Sequence, residues 1–386
     1  IKTMLFSEIL GLEKIKKELT SSYSQKRIAH AQLFDGPKGS GKLALALAYA
    51  QLINCESVFN NDSCGICSSC IKYSKLTHPD LHVIFPVIKT SKNPNPLSSG
   101  AIDLWRKAVL FNPYQSFEKW TNLYKEQYIE GTGKNKISRI YVHQIHDVIK
   151  KHYLKTYEAK YRVVIMWVPE KMDTISSAKF LKLLEEPPKK SVFLLISESK
   201  KNLTPTIYSR LQVVNVPRYT VKQTLNFKSD KKTENFINHC KLSNGDLGSV
   251  LDYHEDSTEE DFYIETFSDL MRVCFKNNII EISAWVDKIA IETRDNKIKT
   301  LNYSICLLRE CIIYNYSDKK INNLSIIETN FIKNFSLYIH EENSLQIIDL
   351  FEQGINDIKR NANPKIVFFD MLLQLVKLLK LKRKFV

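Results

Sequence analysis

Apolar positions along the chain fall into two regimes. Up to about residue 217, short apolar runs of strand length alternate with segments of helical period. Residues 4–27 read as one amphipathic helix around Ile9, Leu10, Leu12, Ile15 and Leu19. Gln32-Leu33-Phe34-Asp35 predicts a short strand that runs straight into a glycine-rich turn, and residues 44–53 follow as a strong helix. Leu81 to Phe85 predicts a second strand. Residues 86–135 then mix Pro, Asn, Ser, Gly and aromatics, which predicts an insertion with one or two short helices around Trp105 and Trp120. The alternation resumes with a helix over 141–156, a strand over 162–168, a helix over 175–186, a strand from Val192 to Ser197, a short helix near 205–210 and a strand from Gln212 to Val216. Strands alternating with helices imply an α/β domain built on a mostly parallel sheet covered on both faces.

From about 218 the strand-length runs stop. Gly245-Asp246-Leu247-Gly248 marks a turn or helix start, and amphipathic helices are predicted over 260–278, 281–294, 298–316, 325–336, 344–359 and 365–382. The expected organisation is an α/β nucleotide-type domain up to about 217 followed by helical domains.

The turn after the first strand reads Gly36-Pro37-Lys38-Gly39-Ser40-Gly41-Lys42-Leu43. It is a G-x-x-x-x-G-K-[ST] phosphate loop whose last position fails. Gly36, Lys38, Gly39, Ser40, Gly41 and Lys42 are the candidate phosphate-binding residues. The strand–loop–helix order aims backbone N–H groups and a helix N-terminus at an anion. Leu43 has no hydroxyl for magnesium, and the strand that would present acids reads Ile165-Met166-Trp167-Val168-Pro169. Glu170 and Asp173 lie beyond the position the chemistry needs. The loop therefore holds a nucleotide without hydrolysing it, or is an inherited turn that binds nothing.

Cys55, Cys64, Cys67 and Cys70 lie within sixteen residues of a polar, glycine-containing segment. Four thiolates at close spacing suit a tetrahedral zinc ion with no open position, which makes the expected metal structural, with free thiols as the bland reading. His78 is a further nitrogen nearby that such a site does not need. Cys240, Cys274, Cys306 and Cys311 are scattered, as expected for buried thiols in a reducing cytosol. His143 and His146 share one helix and read as a solvated face.

Two short motifs remain. Leu184-Glu185-Glu186-Pro187-Pro188 is a helix end stopped by prolines. Ser209-Arg210-Leu211 follows a Pro-initiated turn. In isolation Arg210 is an ordinary surface arginine; at a neighbouring nucleotide it would stabilise charge developing in phosphoryl transfer. The formal net charge of +14 over 386 residues favours a polyanionic partner such as nucleic acid, although Lys, Asn and Ile are abundant throughout. No apolar run approaches the length of a membrane span, and a cytoplasmic location without membrane contact is expected.

Taken in order, His30 to Pro37, the four cysteines, Leu184 to Pro188 and Ser209-Arg210-Leu211 resemble the bacterial clamp-loader AAA+ subunits of DNA polymerase III. The resemblance covers roughly residues 5–85 and 140–255. It implies an AAA+ domain over 1–217, a small helical lid over 218–257 and an all-α helical collar over 258–386. The motor type of that family, gamma/tau, would carry Ser or Thr at 43, Asp-Glu at 167–168 and a sensor arginine where this chain has Gly248. Those losses, with Arg210 kept, resemble the non-hydrolysing delta prime type. The resemblance then implies that Arg210 acts in trans on the ATP site of a gamma/tau neighbour. It also implies a hetero-pentamer with gamma/tau and delta subunits that loads a sliding clamp on primer–template DNA. Leu211 replaces a more usual cysteine, and the insertion over 86–135 departs from the family pattern. Two other expectations stand beside it: an active ATPase using Glu170 or Asp173, and a zinc-containing DNA-binding protein on a vestigial ATPase fold.

Overall fold

The computed structural model describes residues 5–129, 137–152, 157–227, 236–237, 239–240, 243–252, 259–316 and 326–381. The chain divides into two compact units, one of residues 1–230 with 243–252 and the other of 231–242 with 253–386. The described parts of the expected lid are thus shared between the two units.

The first unit is built on five parallel strands: β1 (Ala31–Asp35), β2 (Leu81–Ile84), β3 (Arg162–Trp167), β4 (Ser191–Ser197) and β5 (Gln212–Asn215). Their spatial order is β2-β3-β4-β1-β5. β3 and β4 are buried along their whole length, which is why they read as continuous apolar runs. The order of neighbours reverses at β1, whose partners are β4 and β5, so a crevice opens beyond its carboxyl end. α2 (Lys42–Ile53) starts there and has every residue buried.

The helix expected over 4–27 is shorter. A 3₁₀ turn at Phe6–Glu8 is separated from α1 (Glu13–Ser24) because Gly11 and Leu12 take left-handed backbone angles, φ 56° and 61°. α3 (Ser68–Ser74) follows the cysteine-rich loop. The insertion forms α4 (Ile102–Phe111) and α5 (Phe117–Tyr128), which bury Trp105 and Trp120. Those two rings enclose Phe85, stacked at 5.4 Å on Trp105 and edge-on at 5.0 Å to Trp120, and the Trp120 indole donates to the Pro86 carbonyl at 2.9 Å. The insertion is therefore part of the core, not a surface excursion. α6 (Val142–His152), α7 (Thr174–Glu185), α8 (Pro205–Tyr208), α9 (Val221–Phe227) and α10 (Leu247–Leu251) complete the unit.

The second unit contains α11 (Glu259–Lys276), α12 (Ile279–Ile291), α13 (Arg294–Tyr316), α14 (Ile326–Phe335), α15 (Glu341–Lys359) and α16 (Pro364–Leu379). One apolar core joins them through Phe267, Trp285, Leu307, Phe351 and Phe368. No strand occurs after Asn215 among the described residues. No described helix is long and apolar enough to cross a membrane.

Candidate functional site

The phosphate loop joins β1 to α2, and its cationic and polar handles have partners within the chain. The Lys42 ammonium donates to the carbonyls of Gly36 and Pro37, the latter at 2.7 Å. Burial holds Lys42 below the ordinary lysine range, against the opposing pull of Glu198, Glu170, Asp35 and Asp246. Lys38 pairs with Glu118 at 2.6 Å. Gly39 has φ 64°, and a Cβ there would collide with the Asp246 carboxylate. Asp246 caps α10 by accepting from the Ser249 N–H at 3.1 Å, and Leu247 N donates to Gly39 O at 3.3 Å. Burial raises the Asp246 carboxyl above the usual range despite that N–H and the nearby Lys38 charge. Beside Gly36 a cavity of about 530 Å³ opens between the start of α1, Asp35 and the segment Asn215–Tyr219.

The positions that would hold magnesium are apolar. Leu43 is buried in α2. Trp167 ends β3 and is 3% exposed, and Val168 follows it in a left-handed conformation with φ 57°. Asp173 caps α7, accepting from Ser176 N at 2.7 Å, so its carboxylate is committed to a helix end. Glu170 lies in the turn after β3, where burial raises its carboxyl and its oxygen accepts from Glu198 N at 2.9 Å. Gly248 abuts the Tyr114 carbonyl so closely that no side chain fits there.

Arg210 lies elsewhere. It stands two residues before β5, and the start of β5 pairs with the start of β1: Gln212 lies beside Gln32, Asn215 beside Asp35. The loop leaves the other end of β1. At about 3.3 Å per residue the strand separates the arginine from its own loop by roughly 10 Å or more. The exposed guanidinium bonds Glu185 at 2.7 Å and the Thr206 carbonyl at 2.8 Å. Glu185 is the last residue of α7, so the cation also sits favourably at a helix C-terminus. The structure thus brings Glu185 of the Leu-Glu-Glu-Pro-Pro motif and Arg210 together, and keeps both away from Lys42.

The four-cysteine cluster forms just past the C-terminus of α2. The Sγ atoms of Cys55, Cys64, Cys67 and Cys70 all lie within 4.8 Å of one another, with Cys64 and Cys70 at 3.9 Å. A tetrahedral thiolate site with bonds of about 2.3 Å wants sulfurs roughly 3.8 Å apart. Backbone N–H groups of Cys64, Cys67 and Cys70 point at the sulfurs of Cys55, Cys64 and Cys67 at 3.3, 3.3 and 3.4 Å. Burial works to raise the Cys64 thiol, but N–H bonds from Cys67 and Ile66 outweigh it and bring the thiol down to about 7. Burial pushes Cys55 and Cys70 up, which opposes their ionisation unless a cation is present. The donor set fits a metal ion. His78 is not part of the group; it contacts Asp80 N at 3.1 Å and Glu158 at 3.4 Å. His143 contacts the Pro96 carbonyl, and no other metal-binding group occurs among the described residues. All eight cysteines are free of disulfides, and Cys240, Cys274 and Cys311 are buried.

Of the residues that close the loop, sequence patterns mark Asp246 only as part of a turn or helix start, and do not single out Glu118 or Tyr114. Asp246 carried a signal, a helix-capping Asp followed three residues later by Ser249; the other two did not.

A family model described as DNA polymerase III, delta subunit matches residues 11–220, which hold all three features. The chain belongs to that family. It is a member of the AAA+ clamp-loader group. It is 24% identical over 215 residues to DNA polymerase III subunit tau of Bacillus subtilis, a match covering 56% of this chain and 29% of the relative. It is 27% identical over 201 residues to subunit delta′ of the same organism, covering 52% of this chain and 46% of the relative. This chain thus spans less than half the length of either. A gamma subunit-related protein of Thermotoga maritima is 12% identical with a TM-score of 0.37, covering 95% of this chain and 99% of that one.

Proposed function

We propose that this clamp-loader family member is a non-hydrolysing stator of the delta prime type, which lends Arg210 to the ATP site of a neighbouring subunit. The single observation that supports it best is the placement of Arg210. It is exposed, lies at the end of the paired strands β1 and β5 opposite its own phosphate loop, and is held by Glu185 at one terminal nitrogen and by the Thr206 carbonyl and Ser209 Oγ at the other. A planar fork with further N–H groups suits a phosphate on another chain. The own loop complements this. Leu43, Trp167 and Val168 supply no magnesium ligand, and Lys42 is turned onto loop carbonyls. Phosphoryl transfer depends on positioned charge around the metal and the γ-phosphate, and this site lacks that charge.

In this reading the partners are gamma/tau and delta subunits in a hetero-pentamer acting with a sliding clamp on primer–template DNA. The helical segment 258–386 is the collar that joins the ring, and 218–257 the lid. The cysteines hold a structural zinc ion, which would fix the loop 55–70 against the end of α2. The net charge of +14 suits a ring that surrounds DNA.

The test is ATP turnover by the reconstituted complex with primed DNA and clamp. Arg210→Ala slows hydrolysis at the adjoining site by about 10³-fold, in line with other trans arginines. Wild-type turnover by the Arg210→Ala complex would overturn the proposal. Glu170 gives the competing ATPase reading its own check: magnesium-dependent hydrolysis by the pure chain, lost in Lys42→Ala, contradicts a stator.

A further inference from the structure

The insertion meets the phosphate loop and two of the places where this chain departs from an ATP-burning site, Trp167 and Gly248. At the end of β3, the Trp167 ring packs against Trp120 of α5, centroids 6.4 Å apart. At the loop, Lys38 is paired with Glu118 of α5. The Gly41 backbone is covered by the rings of Tyr114 and Tyr219, which themselves meet edge-on at 6.3 Å. At α10, Gly248 lies against the Tyr114 backbone, and the Asn112 amide donates to Gly248 O at 3.1 Å and to Asp252 at 2.9 Å. Lys119 closes the same corner with an ion pair to Asp252 at 2.5 Å. At the end of β4, Glu198 accepts from the Phe117 N–H at the start of α5.

We infer that residues 98–128 act as a built-in strap that takes the place of a nucleotide, fastening α10 over the phosphate loop and holding the loop closed. This rests on the reading that the loop carries no hydrolysable nucleotide. The physical logic is one of satisfied groups. A phosphate loop without an anion leaves lysines and a helix N-terminus unpaired, which is unfavourable in a closed site. Here Glu118 and Asp246 supply the negative charge, and loop carbonyls take the Lys42 ammonium. Trp105 and Trp120, both wholly buried, anchor the two insertion helices to the sheet through Phe85, so the strap is fixed at its base. Gly248 completes the fit, because any side chain at that position would strike the Tyr114 carbonyl. A chain strapped in this way keeps one conformation at its loop whatever the ATP concentration, which is what a stator needs.

The experiment is amide hydrogen exchange on the full chain, wild type against Asn112→Ala/Lys119→Ala. That variant cuts the strap from α10 without touching the loop. Residues 36–43 and 244–251 are expected to exchange about tenfold faster in the variant, while β3 and β4 are unchanged. Millimolar magnesium–ATP is expected to leave wild-type exchange unaltered. Unchanged protection of both segments in the variant would overturn the strap, as would ATP-dependent protection of the wild-type loop. Should the double variant lose its fold, Glu118→Gln gives the same reading at residues 36–43 alone. The outcomes separate the two proposals. Hydrolysis by the pure wild-type chain sinks both, whereas no nucleotide effect together with unchanged exchange in the variant sinks the strap only.

Discussion

The phosphate loop and Arg210 occupy opposite ends of the same two paired strands, and the fold treats them in opposite ways. The loop is closed: Lys38, Gly39, Gly41 and Lys42 each meet a partner supplied by the chain itself. The Arg210 corner is open, with an exposed guanidinium held by one carboxylate, one carbonyl and the Ser209 hydroxyl. Both ends carry a motif legible in sequence, and motif alone does not distinguish them. The surroundings do. A loop whose charges are satisfied internally has little left to offer a ligand. Arg210 is presented at the surface, anchored through both terminal nitrogens.

The contrast can be broken or sharpened from either end. The largest effect on stability is expected from the cysteine cluster, which ends the helix that starts at the loop. Stripping the metal with a chelator, or Cys64→Ser, should cost several kcal/mol and lower Tm by about 10 °C. Calorimetry with and without added zinc checks this, and an unchanged Tm would mean the thiols are only buried side chains. Next comes Gly39→Ala. Both the left-handed backbone and the Asp246 carboxylate oppose a methyl group, so chemical denaturation should show a loss of about 1–3 kcal/mol. Leu43→Thr restores the missing hydroxyl at a buried position. It should destabilise by about 1–2 kcal/mol and yield no ATP turnover in the pure chain, because Trp167 and Val168 still offer no carboxylate. Turnover in that variant would show the closed loop to be one substitution from activity. The smallest effect belongs to the open end. Glu185→Gln removes an exposed ion pair and should change stability by less than about 1 kcal/mol in urea melts.

Much of this contrast lies beyond what a linear reading provides. β1, β3, β4 and α2 were legible because their signals are local: apolar runs of strand length, then a glycine turn, then a helix. The cysteine cluster was legible for the same reason, since its ligands lie within sixteen residues. The separation of Arg210 from the loop follows from strand register, and a sequence alone does not state register. The strap was hidden further. Asn112 reaches Gly248 across 136 positions and Lys38 meets Glu118 across 80, and no periodicity reports such pairings. Short helices around Trp105 and Trp120 are legible in the insertion, but that these two rings carry its packing against Phe85 is not. The first helix is shorter than its apolar period implies, because Leu12 fits that period while the backbone of Gly11 and Leu12 leaves the helix.

The most direct test sets the two ends against each other in one preparation. Single-turnover ATP hydrolysis is measured in the reconstituted complex carrying wild-type chain, Lys42→Met or Arg210→Ala, each checked for zinc content and Tm. The account predicts wild-type rates with Lys42→Met and a loss of about 10³-fold at one site with Arg210→Ala. The reverse pattern, a rate that depends on Lys42 and ignores Arg210, would contradict it.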